Sequence, residues 1–168
     1  MNTRTSVSTL ALSLSLAAGI ACDPADTDST PSSEVSEARD HQGVVEAEHL
    51  AELHFDEGEI DEHMALWAPG SLEFESPFGS FDDPAAYEAW LEGFYQQTQG
   101  FGGTRHHVIN PIVTLDGDEA EVTAYLHVVN RADGSFMGSS VIQDRLVRTD
   151  AGWRFVFRSV VPDQLPEG

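Results

Sequence analysis

Gly103-Thr104-Arg105-His106-His107-Val108-Ile109-Asn110-Pro111 reads as a strand, entered from glycines and closed by a proline. Side chains alternate across a strand. Thr104, His106, Val108 and Asn110 therefore share one face, and Arg105, His107 and Ile109 the other. A strand that places a histidine and an asparagine among apolar neighbours is either wet on that side or lines a pocket.

C-terminal to this stretch the period of two persists. Thr104 to Leu115 ends at Asp116-Gly117, and Ala120 to Asn130 ends at Asp133-Gly134. Ser139 to Arg148 ends at Asp150-Ala151-Gly152, and Trp153 to Val161 is the fourth run. Asp-Gly between alternating runs is a strong hairpin signal, so the four runs predict an antiparallel meander.

The residues before Gly103 are helical in rhythm. Ala47, Leu50, Ala51, Leu53 and His54 recur at three and four among glutamates, which predicts a helix from about Val44 to Phe55, with Gly58 where it ends. Ile60, Met64 and Trp67 mark a second, short helix that Asp61 can cap, and Pro69-Gly70 stops it. Leu72 to Glu75 alternates like a short strand. Asp83 as N-cap and Pro84 at the first position start a third helix, whose Tyr87, Trp90, Leu91 and Phe94 make one apolar stripe of the kind that faces a core. Helices first and a meander after is the order of an α+β domain, with helices packed on one face of a sheet.

The N-terminal part is of another kind. Residues 1–21 combine one arginine, no acid and a short Leu/Ala/Ser-rich run, as in a secretory signal peptide, and the run is too short to span a membrane. Cys22, the single cysteine, follows Gly19-Ile20-Ala21 and resembles a bacterial lipoprotein processing site, although Gly19 stands where leucine is usual. The expectation is an exported chain lipid-anchored through Cys22; plain signal cleavage is the alternative. Residues 22–41 are rich in Asp, Glu, Ser, Thr and Pro and are expected to be a disordered acidic tether. The folded domain is expected over 42–163, with a tail at 164–168.

The formal charge of the 168-residue chain is −21, and its eight basic residues are all arginine. Such acidity argues against nucleic acid and anionic membrane surfaces as partners. The absence of lysine removes Schiff-base and phosphate-loop chemistry. His49, His54 and His63 stand near acids without any zinc spacing and read as solvated helix surface. Ser139 and Ser140 lack a nucleophile-elbow context.

Several stretches resemble one family in their order along the chain. Phe55-Asp56-Glu57-Gly58-Glu59-Ile60-Asp61 is similar to its acidic junction between the first two helices, and Arg105 to Pro111 to its His-x-x-x-Asn-Pro strand. Asp116-Gly117-Asp118-Glu119-Ala120 is similar to its hairpin, and Gln143 to Arg148 with Gly152-Trp153-Arg154 to its final strand pair. The family is the SnoaL-like branch of the nuclear transport factor 2-like superfamily, similar to ketosteroid isomerase, scytalone dehydratase and bile acid dehydratase. The resemblance implies a cone-shaped, curved antiparallel sheet with three N-terminal helices on it, a pocket between them for a small apolar ligand, and a homodimer. It implies no cofactor.

The resemblance also places an acid–base dyad at Asp56 and His106, suited to proton abstraction beside a carbonyl. Asn110, on the face of His106, could hold a carbonyl or hydroxyl. The family's second polar residue on the next strand has its nearest match in His127, in an unclean register, inside or outside the cavity. The tyrosine common before the aspartate is missing here. Arg158, among apolar neighbours, either clamps an acidic ligand or pairs with Asp144 on the preceding strand, the reading preferred. Three functions stay open: a cofactor-independent isomerase, dehydratase or cyclase; a binding module without turnover; and a dimeric interaction domain.

Overall fold

The structure, a computed structural model, describes residues 33–163. The signal-like segment, Cys22 and the first part of the expected tether lie outside the described residues, as does the tail.

The elements in order are helix α1 (Ser33–Glu57), helix α2 (Ile60–Met64), strands β1 (Phe74–Ser76) and β2 (Gly79–Phe81), helix α3 (Pro84–Gln99), and strands β3 (Thr104–Asp116), β4 (Glu119–Asn130), β5 (Phe136–Thr149) and β6 (Gly152–Pro162). α1 starts eleven residues before the apolar rhythm does, inside the stretch expected to be a tether. Arg148 reaches from β5 to pair with Asp40 and ties this polar first half down. Asp61 caps nothing: α2 begins at Ile60, and its N-cap residue, Glu59, makes no side-chain capping bond. The single short strand expected near Leu72 is a hairpin, β1–β2. α3 starts as its sequence reads, with the Asp83 carboxylate accepting from the Ala86 N–H at 2.8 Å and Pro84 in the first turn.

The sheet corrects the expected curved antiparallel cone. It is an open, mixed sheet of six strands in the order β2-β1-β6-β5-β4-β3. β3 to β6 form the antiparallel meander. β1 runs parallel to β6, with Phe74 opposite Arg158 and Glu75 opposite Ser159. Tight turns force antiparallel pairing. β1 and β6 are joined through all of α3 and the meander, so no turn dictates their direction.

Two bulges set which side chains face the helices. Ile109 pairs with Tyr125, but the next pair is Ile112 with Thr123, so β3 carries one extra residue. Asn110 takes φ of +52° there, a left-handed conformation that asparagine tolerates better than most residues. Before the bulge the even residues Thr104, His106 and Val108 point inward; beyond it the odd residues Val113 and Leu115 pack on the core. A second bulge falls in β6: Arg145 pairs with Phe157 and Leu146 with Phe155, leaving Val156 over. Trp153 and Phe155 are thus buried before it, and Arg158 after it.

One half of the inner sheet face is solid. Ala120, Val122, Leu146, Trp153 and Phe155 form a core with Val44, Ala47 and Ala51 of α1. Burying a side chain such as Leu146 or Phe155 stabilises the fold by about 1.5–3 kcal/mol each. Toward the other end the inward residues Leu126, Val128, His106 and Val160 face a hollow.

Candidate functional site

The hollow lies between the inner sheet face and the three helices and has a volume of about 350 Å³, within the range of small-molecule sites. Aromatic rings make its wall. Tyr87, Trp90 and Phe94 recur at i, i+3 and i+7 on α3, and Trp90 and Phe94 stack with centroids 5.2 Å apart and planes at 8°. Phe74 packs 4.8 Å from Tyr87, and Phe55 lies 5.7 Å from Phe94. The stripe on α3 therefore serves the core through Tyr87 and Leu91, which are buried, and the cavity through Trp90 and Phe94.

Asp56 and His106 meet at this hollow. α1 ends in a Schellman motif: the Gly58 N–H donates to the Phe55 carbonyl at 3.1 Å and the Glu59 N–H to that of His54 at 2.8 Å, with Gly58 at φ +76°. A side chain at position 58 would also strike the Tyr95 ring. That ending places Asp56 in the last turn, where the helix dipole disfavours an acid. Three donors hold it there. His106 donates its backbone N–H to Oδ2 at 2.7 Å and its Nδ1–H to Oδ1 at 2.6 Å, and the Thr104 hydroxyl donates to Oδ1 at 3.3 Å. The backbone bond also satisfies a free group of β3, an edge strand. Around the pair, Arg105 and Arg131 bind Glu57 at 3.0 and 3.2 Å, and Arg131 donates to the Asp56 carbonyl at 3.3 Å.

An ionised carboxylate only accepts, so Asp56 fixes the Nδ1–H tautomer of His106. Nε2 then carries the lone pair of the neutral ring, and it makes no hydrogen bond among the described residues. His106 lines the cavity with its ring edge-on to Phe55, centroids 5.4 Å apart. Burial pushes its pKa down; the Asp56 hydrogen bond and the charges of Glu52 and Asp56 outweigh this and leave it raised.

A second polar cluster forms beneath the hollow. The seven buried residues of α1 are Val44, Ala47, Glu48, Ala51, Glu52, Phe55 and Asp56. Three of them are acids, at i, i+4 and i+8. Arg158 faces them from β6 and Asp144 from β5, cross-strand partners in register. Arg158 grips Asp144 with two bonds of 2.9 and 2.8 Å, and donates to Glu52 and Glu48 at 2.7 Å each. Its guanidinium also lies 4.5 Å from the centre of the Phe155 ring. Burial pushes the Glu48 carboxyl well up, and the charge of Asp144 adds to this against Arg158. Glu48 Oε1 is buried without a hydrogen-bond partner among the described residues, which likewise disfavours its charged form.

The expected binding residues divide. Arg158 touches the cavity, but all three guanidinium nitrogens are engaged by carboxylates, which corrects the acidic-ligand clamp in favour of the Asp144 pair. Asn110 sits exposed on the bulge and does not line the cavity; the extra residue breaks the alternation that would have placed it beside His106. His127 pairs with His107 on the outer face and packs edge-on against Phe136 with centroids 5.7 Å apart, so it too is outside. The alternation of β4 buries Leu126 and turns its neighbour outward.

His63 is the reverse case. It is buried, 5 % exposed, rather than on a solvated surface. Its Nδ1–H donates to the Ala51 carbonyl at 2.9 Å, and the Tyr87 hydroxyl lies 3.3 Å from Nε2. Burial pushes its pKa down to about 4, partly offset by the Ala51 bond. A histidine held neutral contributes stability that is present above its unfolded pKa and lost as pH falls toward the folded value. Stability should therefore fall by about 3 kcal/mol between pH 6.5 and 4 on this account alone. Urea midpoints across that window should flatten in His63→Gln; an unchanged slope would assign the acid sensitivity to other groups.

Glu52, Glu48, His63 and Tyr87 were not legible as site residues. The i, i+4, i+8 repeat of Glu48, Glu52 and Asp56 was the available signal, since it places Glu48 and Glu52 on the face that carries Asp56.

Comparison with known proteins agrees with this architecture. The SnoaL-like domain family matches residues 36–159, and the chain belongs to that family. No curated protein matches the chain. Among solved structures, a protein of unknown function with a cystatin-like fold from Nostoc punctiforme is 26 % identical, with a TM-score of 0.67 over 77 % of this chain and 96 % of that one. A nuclear transport factor 2-like protein from Novosphingobium aromaticivorans is 23 % identical, with a TM-score of 0.69 over 79 % and 88 %. A candidate scytalone dehydratase from the same organism is 22 % identical, with a TM-score of 0.60 over 78 % and 87 %. At these identities the last two speak for the fold alone.

Proposed function

We propose that the cavity binds a small molecule with an apolar, ring-bearing body and that Asp56 and His106 move a proton on it without a cofactor. The observation that carries this is the 2.6 Å contact between Asp56 and His106 at an aromatic-walled hollow. His106 Nε2 takes a proton from the carbon beside a carbonyl, and the Asp56 carboxylate stabilises the imidazolium that forms. Where the substrate carries a β,γ C=C bond the anion is a dienolate, and returning that proton to its γ-carbon shifts the C=C bond to the α,β position and completes an isomerisation. Delivering it to a β-hydroxyl breaks the C–O bond, releases water and leaves a C=C bond, a dehydration. Membership of the SnoaL-like family is compatible with chemistry of this class.

Hydrogen–deuterium exchange of β-tetralone, an enolisable bicyclic ketone, tests it. The protein should accelerate exchange above buffer, and His106→Ala should reduce the acceleration by about 10²–10⁴-fold. The wild-type rate should rise with pH through a pKa above the ordinary histidine value, because the base must be neutral and its pKa is raised. Binding of the ketone without accelerated exchange would instead favour a binding module.

A homodimer is the protein partner we propose. Ile109, Tyr125, Val141 and Val161 form a cross-strand row on the outer sheet face, with Tyr125 and Val161 exposed. Light scattering that returns a monomer mass at micromolar concentration would rule this out.

A further inference from the structure

The floor of the cavity presents hydrogen-bond acceptors and an excess of negative charge. Glu52 is 8 % exposed and lines the hollow. Its Oε1 accepts from Arg158; its Oε2 has no partner among the described residues. The His63 Nδ1–H is committed to the Ala51 carbonyl, so Nε2 accepts from the hydroxyl of Tyr87, a residue of the cavity lining. Arg158, the cation of this floor, is engaged on every nitrogen. Three acidic side chains, Glu48, Glu52 and Asp144, face one guanidinium, and the excess of negative charge persists even where burial favours the protonated form of Glu48. His106 does not redress this balance, because Asp56 already opposes it. At least one negative charge is therefore uncompensated in a largely apolar site, where an unpaired charge is costly. The rings of Trp90, Phe94 and Phe74 line the same hollow, and the face of an aromatic ring, unlike its edge, attracts a cation through its quadrupole.

We propose that Glu52 anchors a hydrogen-bond-donating, positively charged head group, so that the cavity takes protonated amines on a ring-bearing body in preference to acids of the same shape. This rests on the reading of the cavity as a ligand site, but not on proton transfer by His106. An entering ammonium supplies the missing charge and donates to Glu52 Oε2, while its body fills the aromatic space. A carboxylate of equal size would meet acceptors and like charge.

Three matched probes decide it: naphthylmethylamine, naphthylmethanol and naphthoate, titrated against the folded protein by quenching of tryptophan fluorescence, since Trp90 is in the wall. The expected order is amine, then alcohol, then acid, with at least about tenfold between the ends. Glu52→Gln keeps an acceptor for Arg158 and should weaken the amine about tenfold while bringing the acid closer. Should that variant not fold, Glu52→Asp, which withdraws the carboxylate by one methylene, should give a smaller loss in the same direction. Naphthoate binding the wild type as tightly as the amine, or an amine-to-acid ratio unchanged in the Glu52 variants, overturns the assignment. Failure of all three probes to bind overturns it together with the ligand-site reading. Accelerated tetralone exchange without amine preference overturns this inference alone.

Discussion

Replacing Arg158 with methionine is expected to cost the domain about 3–5 kcal/mol, the usual penalty for removing one side of a buried charge network. Methionine fills the space but leaves Glu48, Glu52 and Asp144 beneath the cavity with no cation. Asp144 and Glu48 are 2 % and 0 % exposed, so water cannot take over the lost bonds. A domain of this size has about 5–15 kcal/mol in total, which brings the variant close to unfolding. Urea midpoints at neutral pH measure the loss. Acid should narrow the gap to wild type, because protonated carboxyls no longer need the guanidinium. Adding Glu48→Gln and Asp144→Asn to Arg158→Met should recover part of the stability at neutral pH. A single Arg158→Met variant within about 1 kcal/mol of wild type would show that the network carries little of the fold, as solvated ion pairs do.

Asp56→Asn should lower proton-transfer activity by about 10²–10⁴-fold with a much smaller effect on folding. The amide oxygen can still accept the His106 backbone N–H, so the end of α1 stays docked on β3. The charge is gone, however. The His106 pKa should fall from its raised value, because burial now acts without the Asp56 bond and charge that outweighed it. The dependence of stability on pH should change with it. A histidine whose folded pKa is raised contributes stability that is fully present below its unfolded value and is lost as pH rises through the folded one. In Asp56→Asn that loss above neutrality should diminish or disappear. Proton NMR titration of His106 and the tetralone exchange rate check both effects. An unchanged His106 titration would remove Asp56 from its role in tuning the ring.

The meeting of Asp56 with His106 was legible through the resemblance, because both lie in short motifs whose neighbours in sequence are also their neighbours in space. Gly58 ends the helix one turn after Phe55, and the glycines before Thr104 start the strand. The fates of Asn110 and His127 were not legible. Alternation is a local rule, and one extra residue in β3 reverses it for everything beyond, with no residue type that announces the bulge in advance. The direction of β1 against β6 was hidden for a related reason: it depends on where a strand lands across the whole domain, not on a turn. The acids of α1 concealed the buried face of their own helix, since a glutamate is read as solvated until the arginine that neutralises it is seen. That arginine lies 106 residues from Glu52.

The sequence by itself determined the periods: helices, then four hairpin-linked strands, with a capped start at Asp83 and a helix end at Gly58. These follow from backbone preferences and the spacing of apolar side chains, which act between near neighbours. The tertiary structure decided which polar groups share the hollow and which are spent on one another. Arg158 became the hydrogen-bond donor to three acidic side chains rather than a ligand clamp, His63 turned inward, and Glu52 kept one oxygen for the cavity. Charge and hydrogen bonds in a water-poor interior depend on separation in space, and residues far apart along the chain come within 3 Å of one another only when the fold is complete.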